Sequence, residues 1–321
     1  MDDPSIQGKT VRRVAVVATG VIGASWVAHF LAHGLDVVAT DPSPDAQRRL
    51  HADVDAIWPT LERLGLAGGA SRGRGRLRFE RELEAAVDGV DFVQENGPER
   101  ESLKIGLFKR LDAELPPDVI LASSSSGLST TQIQSECRHP QRVLVGHPFN
   151  PPHLVPLVEV VGGKATSEEA VLAAIAFYGA IGKHPIRVHR EIKGHIANRL
   201  QAALWREAFH LVDQGVASVE DVDTAIAQGP GLRWAVMGPF LNLHLSGGEG
   251  GIEHLLDHLG GPISDWWKDL GNPELSPALK AKVSAGVIDE MRGRSRRVAE
   301  AARDELLVEL IRNKKRLSST G

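Results

Sequence analysis

The chain has 321 residues, a formal net charge of −4, 24% charged residues and 42% hydrophobic residues. This is the composition of a soluble globular protein long enough for two domains, with no electrostatic case for nucleic acid or an anionic membrane as partner. One cysteine, Cys137, excludes a disulfide framework within the chain and fits a reducing compartment, the cytoplasm, and the acidic, polar MDDPSIQGKT start is unlike a secretory signal.

In chain order, residues 11–18 read as a buried strand, 20–32 as a helix and 35–40 as a second strand, a βαβ unit. Residues 14–35 carry no Asp, Glu, Lys or Arg and are long enough to cross a membrane. Gly20, Gly23, His29, His33 and Gly34 interrupt them, which favours the buried core of an α/β unit. The Gly- and Arg-rich segment 67–76 lacks aromatics and reads as a solvated loop. Short apolar runs at 90–94, 119–122, 142–145 and 157–161 alternate with helical stretches, so a doubly wound sheet is expected up to about Val188. From Lys193 the pattern becomes helical, with helices expected over 194–214, 219–228, 277–291 and 298–314. Arg312, Lys314, Lys315 and Arg316 fit a helix C-terminus, where cations oppose the dipole. The expected division is an α/β domain over 1–189 and an all-α domain over 190–321.

The turn of the first βαβ unit reads Ala18-Thr19-Gly20-Val21-Ile22-Gly23. A dinucleotide fingerprint has glycine at the first, third and sixth of these positions; here the first is alanine. Gly20 would let backbone approach a pyrophosphate, and Gly23 would let helix and strand pack closely. If position 18 needs a positive φ, the alanine Cβ costs roughly 1 kcal/mol. Asp41 follows the second strand, eighteen residues after Gly23. Its carboxylate suits a ribose 2′-hydroxyl and repels a 2′-phosphate, which favours NAD over NADP.

The segment GHPFNPPHLVPLVEVV places His147 and Glu159 twelve residues apart in two apolar runs. A histidine moves protons near neutral pH, and a carboxylate beside it fixes its tautomer and raises its basicity. Upstream, Ser123 to Ser126 form a hydroxyl-rich turn. Together these features suggest alcohol dehydrogenation.

The motifs ATGVIG, ERESLK, ASSSSGL, GHPFNPP, LVEVV and HIANRL, in this order and spacing, resemble the 3-hydroxyacyl-CoA dehydrogenase superfamily over nearly the whole chain. The resemblance implies a Rossmann-type NAD-binding domain followed by a helical domain that carries substrate contacts and pairs two copies into a homodimer. It implies a catalytic set of His147 as base, Glu159 as its partner, and Ser126 and Asn198 at the reacting oxygen. It also places Glu99, Lys104 and Asn150 on the ribose and nicotinamide side of NAD. The other serines of the turn read as turn formers, His153, His184 and His195 as structural or exposed, and no metal is assigned.

The helical half departs from the acyl-CoA members at Gly229-Pro230-Gly231-Leu232-Arg233-Trp234, ahead of Met237-Gly238-Pro239-Phe240. An arginine suits a free carboxylate, which a thioester does not offer. The resemblance is therefore to the branch acting on free 3-hydroxy acids, with carnitine as the expected substrate and L-gulonate as the alternative. Arg233 is the candidate for the carboxylate. Trp234, Phe240 and Glu249 are candidates for a trimethylammonium group, which cannot donate a hydrogen bond and is held by aromatic faces or an anion. Ordinary core packing for the aromatics and a structural ion pair for Arg233 stay open, as does a non-catalytic NAD-binding role that Ala18 would suit.

Overall fold

The computed structural model describes residues 5–6, 9–67 and 76–318. The Gly- and Arg-rich positions 68–75 and much of the acidic start lie outside the described residues. Strands β1 (Ser5–Ile6) and β2 (Lys9–Thr10) pair antiparallel by themselves. Eight further strands form one sheet: β3 (Arg13–Val17), β4 (Asp36–Thr40), β5 (Leu77–Phe79), β6 (Phe92–Glu95), β7 (Ile120–Ser123), β8 (Val143–Pro148), β9 (Leu157–Gly162) and β10 (His184–Val188). Their order is β10-β9-β8-β7-β6-β3-β4-β5, parallel throughout except between β8 and β9. The order reverses direction between β3 and β6, and such a switch point opens a ligand crevice at the carboxyl ends of the strands.

Helices α1 (Val21–Ala32), α2 (Ala46–Arg63), α3 (Leu83–Val87), α4 (Glu101–Glu114), α5 (Thr130–Ile133) and α6 (Glu168–Ala180) cover the sheet. Side chains alternate along β3: Val14 and Val16 join the core containing Trp26, Phe30, Phe92, Phe177 and Tyr178, whereas Ala15 and Val17 join that of Phe108, Leu111, Leu121 and Val143. Two buried faces explain the near-continuous apolar strands. Each large side chain removed from water contributes about 1.5–3 kcal/mol. All of Gly23 to Leu31 in α1 is buried, which accounts for its span-like composition. Among the described residues no helix is long and apolar enough to cross a membrane.

The remaining helices are α7 (Ala197–Asp213), α8 (Val219–Ala227), α9 (Pro230–Trp234), α10 (Pro239–Ser246), α11 (Gly251–Asp269), α12 (Pro277–Met291) and α13 (Arg296–Ser318). The chain divides into two compact units: one runs through Arg199 and includes Asp304–Arg312, and the other spans Leu200–Arg303 and resumes at Asn313. Two differences from the sequence pattern stand out. The helix expected from residue 194 begins at Ala197, because Gly194 and His195 both have positive φ, +78° and +50°. Helices α9 to α11 escape the pattern because Pro230 and Pro239 open helices and Pro262 lies inside α11, where proline signals a break from sequence alone.

Candidate active site

The antiparallel pairing of β8 with β9 sets His147 directly opposite Glu159. Residues paired in this way project to the same face, so a twelve-residue separation in sequence becomes a side-chain contact. His147 Nδ1 lies 2.9 Å from Glu159 Oε2. A carboxylate can only accept here, so Nδ1 carries the hydrogen and Nε2 keeps the lone pair of a base. The other carboxylate oxygen, Oε1, accepts from the backbone amides of Ile196 (2.8 Å) and Ala197 (2.9 Å) at the start of α7. Burial of Glu159 raises its pKa, but the His147 and amide hydrogen bonds outweigh this and hold the carboxyl below the usual range. Asn198 follows on the first turn of α7, half-buried.

The strands hold their register through buried polar contacts. A Cβ on Gly146 would stand 2.0 Å from the Tyr178 hydroxyl, so glycine is required before His147. That hydroxyl donates to Gln94 Oε1 (2.6 Å), and Gln94 Nε2 donates to Ser124 Oγ (2.8 Å) and the Gly146 carbonyl (3.3 Å). The β8–β9 connection is fixed to α1 by Ser25, whose Oγ accepts from the His153 amide and lies 2.8 Å from His153 Nδ1. Buried Lys183 donates to the carbonyls of Pro152 and Val155 in the same connection.

The serine turn sorts its four hydroxyls. Ser123 donates to Glu95 (2.6 Å), Ser124 to Asn96 (2.7 Å) and Ser125 to Glu99 (2.5 Å). Ser126 is the exposed member, and its hydroxyl has no hydrogen-bond partner among the described residues. It is therefore the serine free to meet a ligand. Glu99 Oε1 also accepts from the amides of Gly127 (2.8 Å) and Leu128 (3.0 Å), so Glu99 shapes the turn itself. Lys104 is 1% exposed and donates to both oxygens of Glu95 at 2.8 Å. The resemblance puts Lys104 on the ribose and nicotinamide side of NAD; its ammonium is engaged by Glu95, whose buried carboxylate would be costly without it. Asn150 is exposed just after β8.

A dinucleotide fits the turn at the carboxyl end of β3. Ala18 has φ +67°, so the positive-φ case with its steric cost applies. A Cβ on Gly23 would stand 2.0 Å from the Ala18 carbonyl, whereas one on Gly20 would meet nothing within 4 Å. Gly23 is thus needed for helix–strand contact, and Gly20 leaves open backbone where a pyrophosphate can approach. The first turn of α1 has no acidic residue and no side-chain cap, so its amides remain available to an anion. Asp41 accepts from the Thr19 amide (2.9 Å) and the Ser43 amide (2.8 Å). Burial works against its charge, but these hydrogen bonds prevail and lower its pKa, leaving an anionic acceptor beside the turn.

A cavity of about 420 Å³ lies in the same unit, bordered by Gly127 to Thr130, just after the serine turn, and by Glu191, Ile192, Lys193 and His195. The residues proposed from sequence for the far end of the substrate belong to the other unit. Arg233 and Trp234 lie on α9, Phe240 on α10 and Glu249 in the turn at Gly248–Gly250, all exposed. His195, read from the sequence as structural or exposed, is 4% exposed and has its ring centroid 5.1 Å from that of His147. The signal available was its place in HIANRL, immediately before the amides that hold Glu159.

A doubly wound sheet with a glycine turn, an acidic residue after the second strand and a carboxylate-oriented histidine defines an NAD-dependent dehydrogenase acting on a CH–OH group. Residues 13–192 match the 3-hydroxyacyl-CoA dehydrogenase NAD binding domain and residues 194–291 the 3-hydroxyacyl-CoA dehydrogenase C-terminal domain; the chain belongs to this family. It is 53% identical to an L-carnitine dehydrogenase of Streptomyces coelicolor over 309 residues, 96% of each chain. It is 48% identical to one of Bacillus cereus, covering 94% of this chain and 92% of that one. Among solved structures it resembles 5-formyl-3-hydroxy-2-methylpyridine 4-carboxylic acid 5-dehydrogenase, an NAD-dependent dismutase, with TM-score 0.83, 31% identity and coverage of 95% and 99%. It also resembles 3-hydroxybutyryl-CoA dehydrogenase of Escherichia coli, with TM-score 0.62, 30% identity and coverage of 74% and 49%.

Proposed function

We propose that the protein oxidises the 3-hydroxyl of L-carnitine to 3-dehydrocarnitine, with the proton passing to His147. NAD, when bound, supplies the hydride acceptor. The Gly20–Gly23 turn with Thr19, Val21 and Ile22 receives the pyrophosphate, and Asp41 receives the ribose. His147 Nε2 takes the hydroxyl proton, and Glu159 stabilises the imidazolium that results. Ser126 and Asn198 hydrogen-bond the reacting oxygen as it becomes a carbonyl. Glu99 and Asn150 border the nicotinamide side, while Lys104 supports that surface through Glu95.

The observation that carries the chemistry is the His147–Glu159 pair held by two amides of α7. The choice of carnitine rests on likeness to the carnitine dehydrogenases along the whole chain. Carnitine carries a carboxylate and a quaternary ammonium, for which Arg233 and the set Trp234, Phe240 and Glu249 are our assignments. The helical part, taken from residue 190 onward, carries these groups and joins two copies. The adjacent exposed pair Trp266 (62%) and Trp267 (69%) supports that association, since large apolar side chains are costly to leave in water. We place the protein in the cytoplasm, with neither nucleic acid nor membrane as partner.

The test is NADH formation, followed by absorbance at alkaline pH, with L-carnitine, D-carnitine and L-gulonate side by side. Turnover of L-carnitine alone is expected. Turnover of L-gulonate without L-carnitine would retain the His147 chemistry and remove the quaternary-ammonium assignment.

A further inference from the structure

His195 is buried, carries a left-handed backbone and is absent from the reaction described above. Non-glycine residues rarely adopt φ near +50°, and such strain persists where the surroundings enforce it. Here two left-handed residues in succession, Gly194 and His195, lead into Ile196 and Ala197, whose amides converge on Glu159 Oε1. The side chain reaches the opposite way. His195 Nε2 lies 3.1 Å from the Ser125 carbonyl, the residue before Ser126. A carbonyl only accepts, so Nε2 bears the hydrogen. Nδ1 is buried without a hydrogen-bond partner among the described residues, so nothing there would hold a second proton. The ring packs against His147 at 5.1 Å, tilted by 49°.

We propose that His195 is a positioning residue of the active site: as a neutral Nε2–H imidazole it ties the serine turn that carries Ser126 to the turn that holds Glu159, with its ring against His147. One residue thereby sets the reacting-oxygen donor and the base relative to each other. Its neutrality follows from its surroundings. Burial lowers its pKa most; the Ser125 carbonyl opposes this, a charge on His147 lowers it further, and Glu159 and Glu99 raise it, with a lowered value as the outcome. Glu191 and Lys193 lie on the same loop, and Glu191 is engaged by the amide and hydroxyl of Thr131. A neutral neighbour leaves His147 as the imidazole that charges during turnover.

The inference rests on the proposed carnitine oxidation for its kinetic readout, and on the free protein for its spectroscopic one. His195→Phe keeps a ring but removes the donor; His195→Gln keeps an N–H donor. For His195→Phe we expect kcat about tenfold lower, the cost of misplacing Ser126 relative to His147, with the KM for L-carnitine and NADH binding within about twofold. His195→Gln should recover to within about threefold of the parent enzyme. Parental kcat in His195→Phe would overturn the proposal, as would equal losses in the two variants. Imidazole 15N spectra of the unmodified protein, without substrate, should show His195 as the neutral Nε2–H tautomer at about pH 7; an Nδ1–H tautomer or a charged ring there would overturn it. The spectra decide the matter even if His195→Phe does not fold or if carnitine is not turned over.

Discussion

The two units differ in what they bury. In the sheet unit, the apolar residues of β3, β6, β7 and β8 and large side chains such as Trp26, Trp58, Phe92, Phe108 and Phe177 are almost wholly inside. Across Leu200–Arg303, Val212, Leu255 and Leu279 are the buried apolar side chains, while Trp205, Phe240, Trp266, Trp267 and Ile288 are exposed. A parallel sheet covered on both faces supplies its own core. A set of helices with many apolar groups facing outward buries far less of its own apolar surface. On the proposed function the contrast would separate the tasks, with the proton-transfer pair in the sheet unit and the association surface in the helical unit.

The comparison can be broken or sharpened experimentally. The largest effect is expected at the dyad. His147→Gln should lower kcat about 10³-fold, the contribution of a positioned general base, with NADH affinity measured by fluorescence little changed. A comparable fall in NADH affinity would instead make His147 part of the cofactor site. Next, the Trp266→Glu, Trp267→Glu double variant should shift sedimentation from dimer to monomer, with a lower melting temperature for the helical unit. An unchanged sedimentation profile would refute the association surface. Within the sheet unit, Gly23→Ala forces a Cβ against the Ala18 carbonyl and should cost about 3 kcal/mol in chemical denaturation, as overpacking does. The smallest effect is at Ala18. Ala18→Gly removes a side chain from a left-handed position but loosens the unfolded chain, so a gain of no more than about 1 kcal/mol is expected, with tighter NADH binding. A loss of stability would show that the alanine is better tolerated than its φ of +67° indicates.

Much of this molecule is legible in its sequence. Apolar runs separated by helical periods locate the strands, because strands buried on both faces need continuous apolar residues. The glycine turn, Asp41, His147 and Glu159 are readable because their chemistry restricts residue type. Other features were hidden. Strand β5 has only three residues and no apolar run. Helix α2 carries Pro59 and α11 carries Pro262, so neither reads as an unbroken helical pattern. Lys104 belongs to a recognisable motif, yet its ammonium is engaged by Glu95, a buried partner that spacing alone does not identify.

What the sequence determined is therefore local: which segments are strands, which turn admits a phosphate, and which residue types can move a proton. What tertiary structure decided is which of these groups meet. The antiparallel register of β8 and β9 brings His147 to Glu159, and hydrogen bonds to Glu95, Asn96 and Glu99 leave Ser126 as the available hydroxyl. The left-handed turn at Gly194 and His195 places a second imidazole against His147. Such contacts depend on backbone direction and on competition among neighbouring partners, which exist only after distant segments have packed together.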